Sequence, residues 1–240
     1  MKLDNLDLYD FFIEKGITHL HHANSVATSS TFIENGGLLS RGDVAKNNLV
    51  QTLQDSDYED QKFDVWNDIF LDTADLHGYF PRQNLYGPVL FKFNIDFIPQ
   101  QNLDIWITKE NPMFWQDNMP SADKYFQNVT ELKTHWDEIP RQKKMITIRK
   151  PGFPILFPYL EKIIIDDPQI KIYGDIHVFN TMVNAFDALT TGNTDLRSKF
   201  EIRQCRNCYC HSNYLKQVPT VQAARLFLPK YHEYFPDKNT

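Results

Sequence analysis

Three histidines stand close together near the start of the chain: His19, His21 and His22, within THLHHANSVATSSTFIENGGLLSRGD at residues 18–43. Histidine is the side chain whose charge changes most readily near neutral pH, and either ring nitrogen can donate or accept a hydrogen bond. The group could therefore serve catalysis, with His19 donating to a ribose hydroxyl. The same three residues are also typical of an ordinary polar surface strand.

The elements that must position these histidines are predicted by the same stretch. A short strand carries them, and a helix follows that Ser25 or Asn24 can cap. The Asn35-Gly36-Gly37 turn ends that helix. We expect extended structure to resume over residues 38–41.

Composition limits the function classes. The 240 residues are 42% hydrophobic and 14% aromatic, enough to build a core and to exclude global disorder. The formal net charge of −6 argues against binding a polyanion through overall charge, although a local basic groove stays possible. The N-terminus does not resemble a signal peptide, no apolar run is long enough to span a membrane, and three cysteines make no disulfide framework. We therefore expect a cytoplasmic protein with reduced thiols.

Many short strands, few long helices and long connections characterise the rest of the chain. An amphipathic helix is predicted over residues 4–15 and another over 178–189, and the acid-rich residues 43–78 are expected to form a surface loop or an irregular helix. Further strands are predicted at residues 89–93, 103–108, 145–149, 162–165 and 200–203. The pattern indicates an α+β fold on a split, mixed or antiparallel sheet with flanking helices. We expect one domain over residues 1–240, in which 197–217 could form a small appended module.

A second stretch with chemical potential is YFPRQNLYGPVLFKF, residues 79–93. The rings of Tyr79, Phe80 and Tyr86 could enclose a flat heteroaromatic ring, and Arg41 or Arg82 could pair with a pyrophosphate. The alternative is that the aromatic residues belong to the core and that the arginines are solvated. The chain contains neither a Rossmann nor a P-loop phosphate motif.

Together, THLHHAN, FIENGGLLSR and YFPRQNLYGPVLFKF resemble the DarT-type ADP-ribosyltransferase toxins, whose first strand reads approximately H-x-T-H-x-x-N. In this resemblance His19 takes the place of the NAD-contacting histidine, His21 that of a frequent threonine, His22 that of the second histidine and Asn24 that of the asparagine. The family implies an ADP-ribosyltransferase-like split sheet that binds NAD and transfers ADP-ribose to a nucleic-acid base. The usable motifs cover residues 17–100.

The resemblance also implies a glutamate at the start of a late strand, because a carboxylate stabilises the positive charge that develops at the anomeric carbon. The strand KMITIR, residues 144–149, has Met145 and Thr147 where that acid is expected. Glu161 is the first substitute, Glu201 the second and Glu138 a distant third. Solvated residues before a strand would look the same.

The resulting hypothesis is an ADP-ribosyltransferase that uses NAD as co-substrate and acts on RNA or single-stranded DNA. The resemblance implies a toxin of a toxin–antitoxin or anti-phage defence system, with a protein antitoxin as partner. The catalytic candidates are His19, Tyr86, Glu161 and Glu201. The NAD-binding candidates are His19, His21, Asn24, Ser40, Arg41, Tyr79 and Arg82. Two alternatives are an NAD-dependent RNA 2′-phosphotransferase, for which Arg41, Arg82 and Arg149 would hold the phosphate, and a non-catalytic zinc-binding protein-interaction module.

The zinc alternative rests on CRNCYCH, residues 205–211. Cys205 and Cys208 have the C-x2-C spacing of a zinc site, which Cys210 and His211 could complete although adjacent ligands are geometrically awkward. Free or redox-active thiols, simple packing and a catalytic Cys–His pair are the other interpretations.

Lysines and arginines concentrate in RQKKMITIRK and RSKFEIRQCR, residues 141–150 and 197–206. If these two strands were neighbours, they would form a positive stripe for the phosphates of a single strand, with Tyr209 or Tyr214 stacking on a base. A solvated strand face is the alternative.

Overall fold

The computed structural model describes residues 2–79 and 82–236. Phe80 and Pro81 of the YFPR stretch lie outside the described residues. Within the described part, nine strands form: β1 (His19–Asn24), β2 (Ile69–Leu71), β3 (Val89–Asn94), β4 (Ile105–Ile107), β5 (Ile146–Ile148), β6 (Leu160–Asp167), β7 (Lys171–Ile172), β8 (Ile176–His177) and β9 (Phe200–Gln204).

The strands divide between separate sheets. The larger sheet has the order β1-β3-β6-β9, in which β9 is parallel to β6 and the other pairs are antiparallel. A second, antiparallel sheet has the order β2-β5-β4, and β7 pairs with β8. This arrangement confirms the predicted α+β fold on a split, mixed sheet. All five further strands predicted from the sequence form, but β2 lies in the segment that was expected to be a surface loop.

The helices of the described residues flank these sheets: α1 (Asn5–Glu14), α2 (Val26–Asn35), α3 (Arg41–Lys46), α4 (Asp57–Lys62), α5 (Leu76–Tyr79), α6 (Phe97–Gln100), α7 (Ser121–Lys124), α8 (Val129–His135), α9 (Val178–Leu189), α10 (Thr194–Ser198), α11 (Cys210–Lys216) and α12 (Thr220–Phe227). Short 3-10 turns lie at Pro112–Phe114, Arg141–Lys143 and Phe157–Tyr159. Helix α1 confirms the amphipathic helix predicted over residues 4–15, and α9 confirms the helix predicted over residues 178–189. No helix in the described ranges combines the length and the apolar character needed to cross a membrane.

The helix after the histidine strand begins and ends as its capping residues predict. The Ser25 side chain accepts the Thr28 N–H, and Gly36 ends α2 with the left-handed φ of 68°. The extended structure expected over residues 38–41 forms at Leu38, which bridges Ile155, and at Ser40, whose backbone is extended, but it is wrong at Arg41. Helix α3 begins at Arg41 because the Ser40 Oγ accepts the Asp43 N–H at 3.0 Å and so caps a new helix.

Alternation of side chains along β1 and β3 separates the core from a polar sheet face. Leu20, Phe91 and Phe93 are fully buried on one face. Lys92 and Asn94 lie on the other face, opposite His21 and His19 in the register. The two larger sheets meet where His21 and Asp72 exchange backbone hydrogen bonds, each 2.9 Å long. The junction lies beside the histidines.

Candidate functional site

A cavity of ≈ 420 Å³ lies at the junction of the two larger sheets and is lined by residues of both β1 and β2. Its volume is within the range of small-molecule sites, about 300–1,000 Å³. Five of the predicted site residues line it: His21, Asn24, Arg41, Arg82 and Tyr86. They come from strand β1, the start of α3 and the loop before β3, so the fold brings together the separate stretches that the sequence singled out.

Several polar atoms around the cavity have no hydrogen-bond partner among the described residues. They are the Nδ1 of His21, the Nη1 of Arg41 and the side-chain oxygens of Gln51 and Gln83, all buried. Buried polar atoms are almost always hydrogen-bonded, so this group of atoms can bond a polar ligand or water in the cavity. Gln83 belongs to the stretch over residues 79–93 but was not singled out within it, and Gln51 lies in a connecting segment without a motif.

Arg41 is held rigidly at the cavity wall. Its Nη2 donates to the Thr52 carbonyl at 3.1 Å and to Asp57 Oδ2 at 2.7 Å, and its guanidinium lies over the Trp66 ring at 5.2 Å. These contacts leave Nη1 as the unpartnered donor. The arrangement orients one N–H of a permanent cation for an anionic oxygen.

His21 and His22 point to opposite sides of β1 and are both kept neutral. Burial lowers the pKa of His21 to about 4. The Nδ1 of His22 lies 2.8 Å from the Phe70 carbonyl, and burial lowers its pKa as well. A neutral imidazole at position 21 can both donate and accept, which suits hydrogen bonding to a sugar hydroxyl.

The acids around the cavity differ from those expected. Burial raises the pKa of Asp60 to about 6 and that of Asp68 to about 7, although Arg149 Nε lies 3.2 Å from Asp68 Oδ2. Burial also raises the pKa of Asp72, whose side chain bonds Arg141. Burial therefore favours the neutral form of these carboxyl groups, and Asp68, with a pKa of about 7, is partly protonated at neutral pH.

His19 and Glu161 lie beyond the cavity lining, on the polar face of the larger sheet, and bond each other. The His19 Nε2 is 2.7 Å from Glu161 Oε2, and Asn94 donates to Glu161 Oε1 at 3.2 Å. Partial burial acts to raise the pKa of Glu161, but the hydrogen bonds from Asn94 and His19 hold it below its ordinary value. Because His19 and His21 are alternate residues of one strand, their side chains share a face about 7 Å apart.

The other three predicted site residues contact neighbouring protein groups outside the cavity. Glu201 is exposed on β9 and pairs with Lys162, and Ser40 is the buried cap of α3. Tyr79 is 56% exposed, with the Arg141 guanidinium 4.3 Å from its ring centroid. None of the three lines the cavity.

The predicted positive stripe does not form, because β5 and β9 belong to different sheets. Most cations of the two segments also have acidic partners. Lys143 pairs with Glu110, Lys150 with Asp64, Arg197 with Asp187 and Arg203 with Asp75 and Asp166.

The three cysteines converge, but His211 is not with them. Its Nδ1 lies 2.8 Å from the Pro168 carbonyl, while His77 approaches the sulfurs instead. His77 is 128 residues from Cys205 and sits in an acid-rich segment, so local spacing gave no signal for it.

Comparison with known proteins gives a distant structural likeness. No protein-family model and no curated protein matches the chain. Among solved structures, it is similar to the DarT of Thermus sp. 2.9 in complex with ADP-ribosylated single-stranded DNA, with a TM-score of 0.46 and 10% sequence identity. The match covers 79% of this chain and 94% of that one.

Proposed function

We propose that the protein is an ADP-ribosyltransferase that uses NAD and modifies a base of RNA or single-stranded DNA. The observation that carries the proposal is the convergence of His21, Asn24, Arg41, Arg82 and Tyr86 on one cavity. The sequence motifs had grouped these residues as NAD-binding or catalytic before their positions in space were considered.

Different cavity residues bind different parts of the dinucleotide. The free Nη1 of Arg41, together with Arg82, binds the pyrophosphate, and the neutral His21 ring bonds a ribose hydroxyl. Tyr86, 43% exposed at the mouth, packs against the nicotinamide ring. The assignment gives His21 the ribose contact, because His19 does not line the cavity.

Glu161 supplies the carboxylate for the transfer. Its pKa lies below the ordinary value, so it is ionised at neutral pH, whereas Asp68 in the cavity wall, with a pKa of about 7, is partly protonated. A ribose held at His21 would extend along β1 toward the His19–Glu161 pair. There the negative charge stabilises the oxocarbenium-like state as the glycosidic bond to nicotinamide opens. His19 positions the carboxylate through its 2.7 Å hydrogen bond.

The acceptor base packs against an apolar rim around the mouth of the cavity. Leu53, Leu85 and Met113 line the cavity, yet each is between 45% and 60% exposed. Apolar contact between these side chains and a base needs no large positive surface. This mode agrees with the net charge of −6 and with the paired state of most cations in the two basic segments.

The 2′-phosphotransferase alternative is less well supported. It needs several arginines converging on one phosphate, and Arg149 is instead held by Asp68 and Asp64 away from the cavity lining. Release of phosphate from a 2′-phosphorylated RNA in the presence of NAD would favour it.

Incubation of the purified protein with NAD labelled in the adenylate tests the proposal. Separate reactions contain RNA, single-stranded DNA or a protein mixture, and the label is followed on a denaturing gel. We expect transfer to one nucleic-acid pool with stoichiometric release of nicotinamide. Folded protein that neither transfers label nor releases nicotinamide would overturn the proposal.

The proposed biological setting is a toxin that a protein antitoxin neutralises. Induced expression should arrest growth of a bacterial host, and Glu161→Gln at equal protein level should not. Equal growth arrest by the wild type and Glu161→Gln would show that the toxicity does not depend on the transferase activity.

A further inference from the structure

A compact group of metal-ligand side chains lies outside the cavity lining. The ligand atoms of His77, Cys205, Cys208 and Cys210 all lie within 4.8 Å of one another. The Cys210 Sγ is 3.2 Å from His77 Nε2 and 2.9 Å from Cys208 Sγ, and the Cys205 Sγ is 3.9 Å from the same nitrogen. His77, Cys205 and Cys210 are buried, and Cys208 is half-buried.

We propose that these four side chains bind one structural zinc ion. Three sulfurs and one imidazole nitrogen are a recognised tetrahedral zinc set, with about 2.3 Å from metal to sulfur and about 2.0 Å to nitrogen. Such a site needs sulfur atoms about 3.8 Å apart and sulfur–nitrogen distances of about 3.5 Å. The ion therefore fits after the Cys208–Cys210 sulfurs, now 2.9 Å apart, spread by about 1 Å and the widest pair, within 4.8 Å, closes by up to about 1 Å.

The surroundings of His77 orient it as a metal ligand. Its Nδ1 lies 2.7 Å from Asp166 Oδ2, which leaves Nε2 directed at the sulfurs. Asp166 is itself fixed by Arg203, whose Nε donates to Oδ1 at 2.6 Å. A carboxylate behind a ligating histidine sets its tautomer and is the usual outer contact of zinc sites.

The site joins parts of the chain that are distant in sequence. His77 belongs to α5, next to Leu76 of the cavity wall, whereas the cysteines lie between β9 and the start of α11. The metal would hold the wall segment against the larger sheet.

Other uses of the cysteines fit less well. The Cys208–Cys210 sulfurs are 2.9 Å apart, well beyond the 2.03–2.05 Å of a disulfide bond. His211, the ligand expected from the sequence, is turned to the Pro168 carbonyl.

Metal analysis of the full chain, purified without chelators, is the first test. We expect about one zinc per chain in the wild type and in His211→Asn, the matched control one residue from Cys210. His77→Asn and Cys208→Ser should lose the metal. Zinc-free wild type would overturn the proposal, and so would loss of zinc from His211→Asn but not from His77→Asn.

A second measurement stays informative if the ligand variants fail to fold. Cobalt-substituted wild type should show the intense visible bands of a tetrahedral ion and sulfur-to-metal charge-transfer bands. Asp166→Asn should bind zinc about 10–100-fold more weakly at unchanged stoichiometry. Octahedral cobalt spectra, or equal zinc affinity in the wild type and Asp166→Asn, would contradict the proposed zinc site.

Amide hydrogen exchange tests whether the metal stabilises the segment of the cavity wall, and it needs no assay of NAD. Removing zinc from the wild type should speed amide exchange in residues 72–79 and 82–87 more than in α1, which packs against α6 and α8. Equal acceleration in the cavity-wall residues and in α1 would contradict a local role of the metal.

Discussion

At the residue scale, the chemistry of the site depends on burial, because carboxyl groups in different surroundings have different pKa values. Burial lowers the pKa of His21 to about 4. Glu161 lies partly exposed among hydrogen-bond donors and has a lowered pKa, whereas Asp68 is enclosed and has one of about 7. A neutral imidazole therefore lines the cavity, and an ionised carboxylate lies on the polar face of the larger sheet.

Replacing Glu161 by Gln should lower ADP-ribose transfer by about 10²–10³-fold, because the charge that stabilises the transition state is lost while the shape is kept. Glu201→Gln is the matched control, since Glu201 is also an exposed strand glutamate with a cationic partner. Initial rates with labelled NAD measure both. A larger loss in Glu201→Gln than in Glu161→Gln would move the catalytic role to β9.

The depressed pKa of His21 predicts a pH-dependent stability. Between pH 6.5 and 4 the unfolded chain binds a proton that the folded chain excludes, so the free energy of unfolding falls as the pH falls through this range. The loss has an upper bound of about 3 kcal/mol. Urea unfolding at pH 7 and 4.5 should show this loss in the wild type and a smaller one in His21→Gln. Identical losses would contradict the assigned pKa.

At the element scale, the loop before β3 must fit closely against the end of β1. Gly87 has a φ of 139°, and a Cβ there would lie 2.2 Å from the Asn24 carbonyl. Only glycine permits this approach, which brings Tyr86 and Asn24 to the same cavity.

Gly87→Ala should therefore lower the free energy of unfolding by about 2–4 kcal/mol through backbone strain and overlap. Gly192→Ala is the control, because Gly192 has a φ of 83° but open space around its Cβ position. It should lose only about 1 kcal/mol. Equal losses in urea unfolding would show that the close approach is unimportant.

At the scale of the whole molecule, the two larger sheets meet through the His21–Asp72 bridge, and the cavity lies at this junction. Ion pairs join distant segments: Arg203 with Asp75, Arg141 with Asp72, and Arg149 with Asp68. Three of the cations that the sequence suggested for a nucleic-acid surface therefore form ion pairs with the segments of the cavity wall.

The sequence alone was sufficient where local forces decide the structure. Capping at Ser25, the left-handed turn at Gly36 and the apolar periodicity of α1 predicted these features, and runs of β-favouring residues predicted strands of the split sheet. The motifs also singled out His21, Asn24, Arg41, Arg82 and Tyr86, which line one cavity, and their functional roles stay predictions.

Only the tertiary structure decided which distant groups meet. It paired His19 with Glu161, placed His77 rather than His211 among the cysteines, and assigned the two basic segments to different sheets. It also placed the acids in different surroundings. Burial raises the pKa of Asp68, whereas hydrogen bonds lower the pKa of Glu161. Such contacts join residues up to 142 positions apart. They depend on strand order and desolvation, which no local pattern of residues encodes.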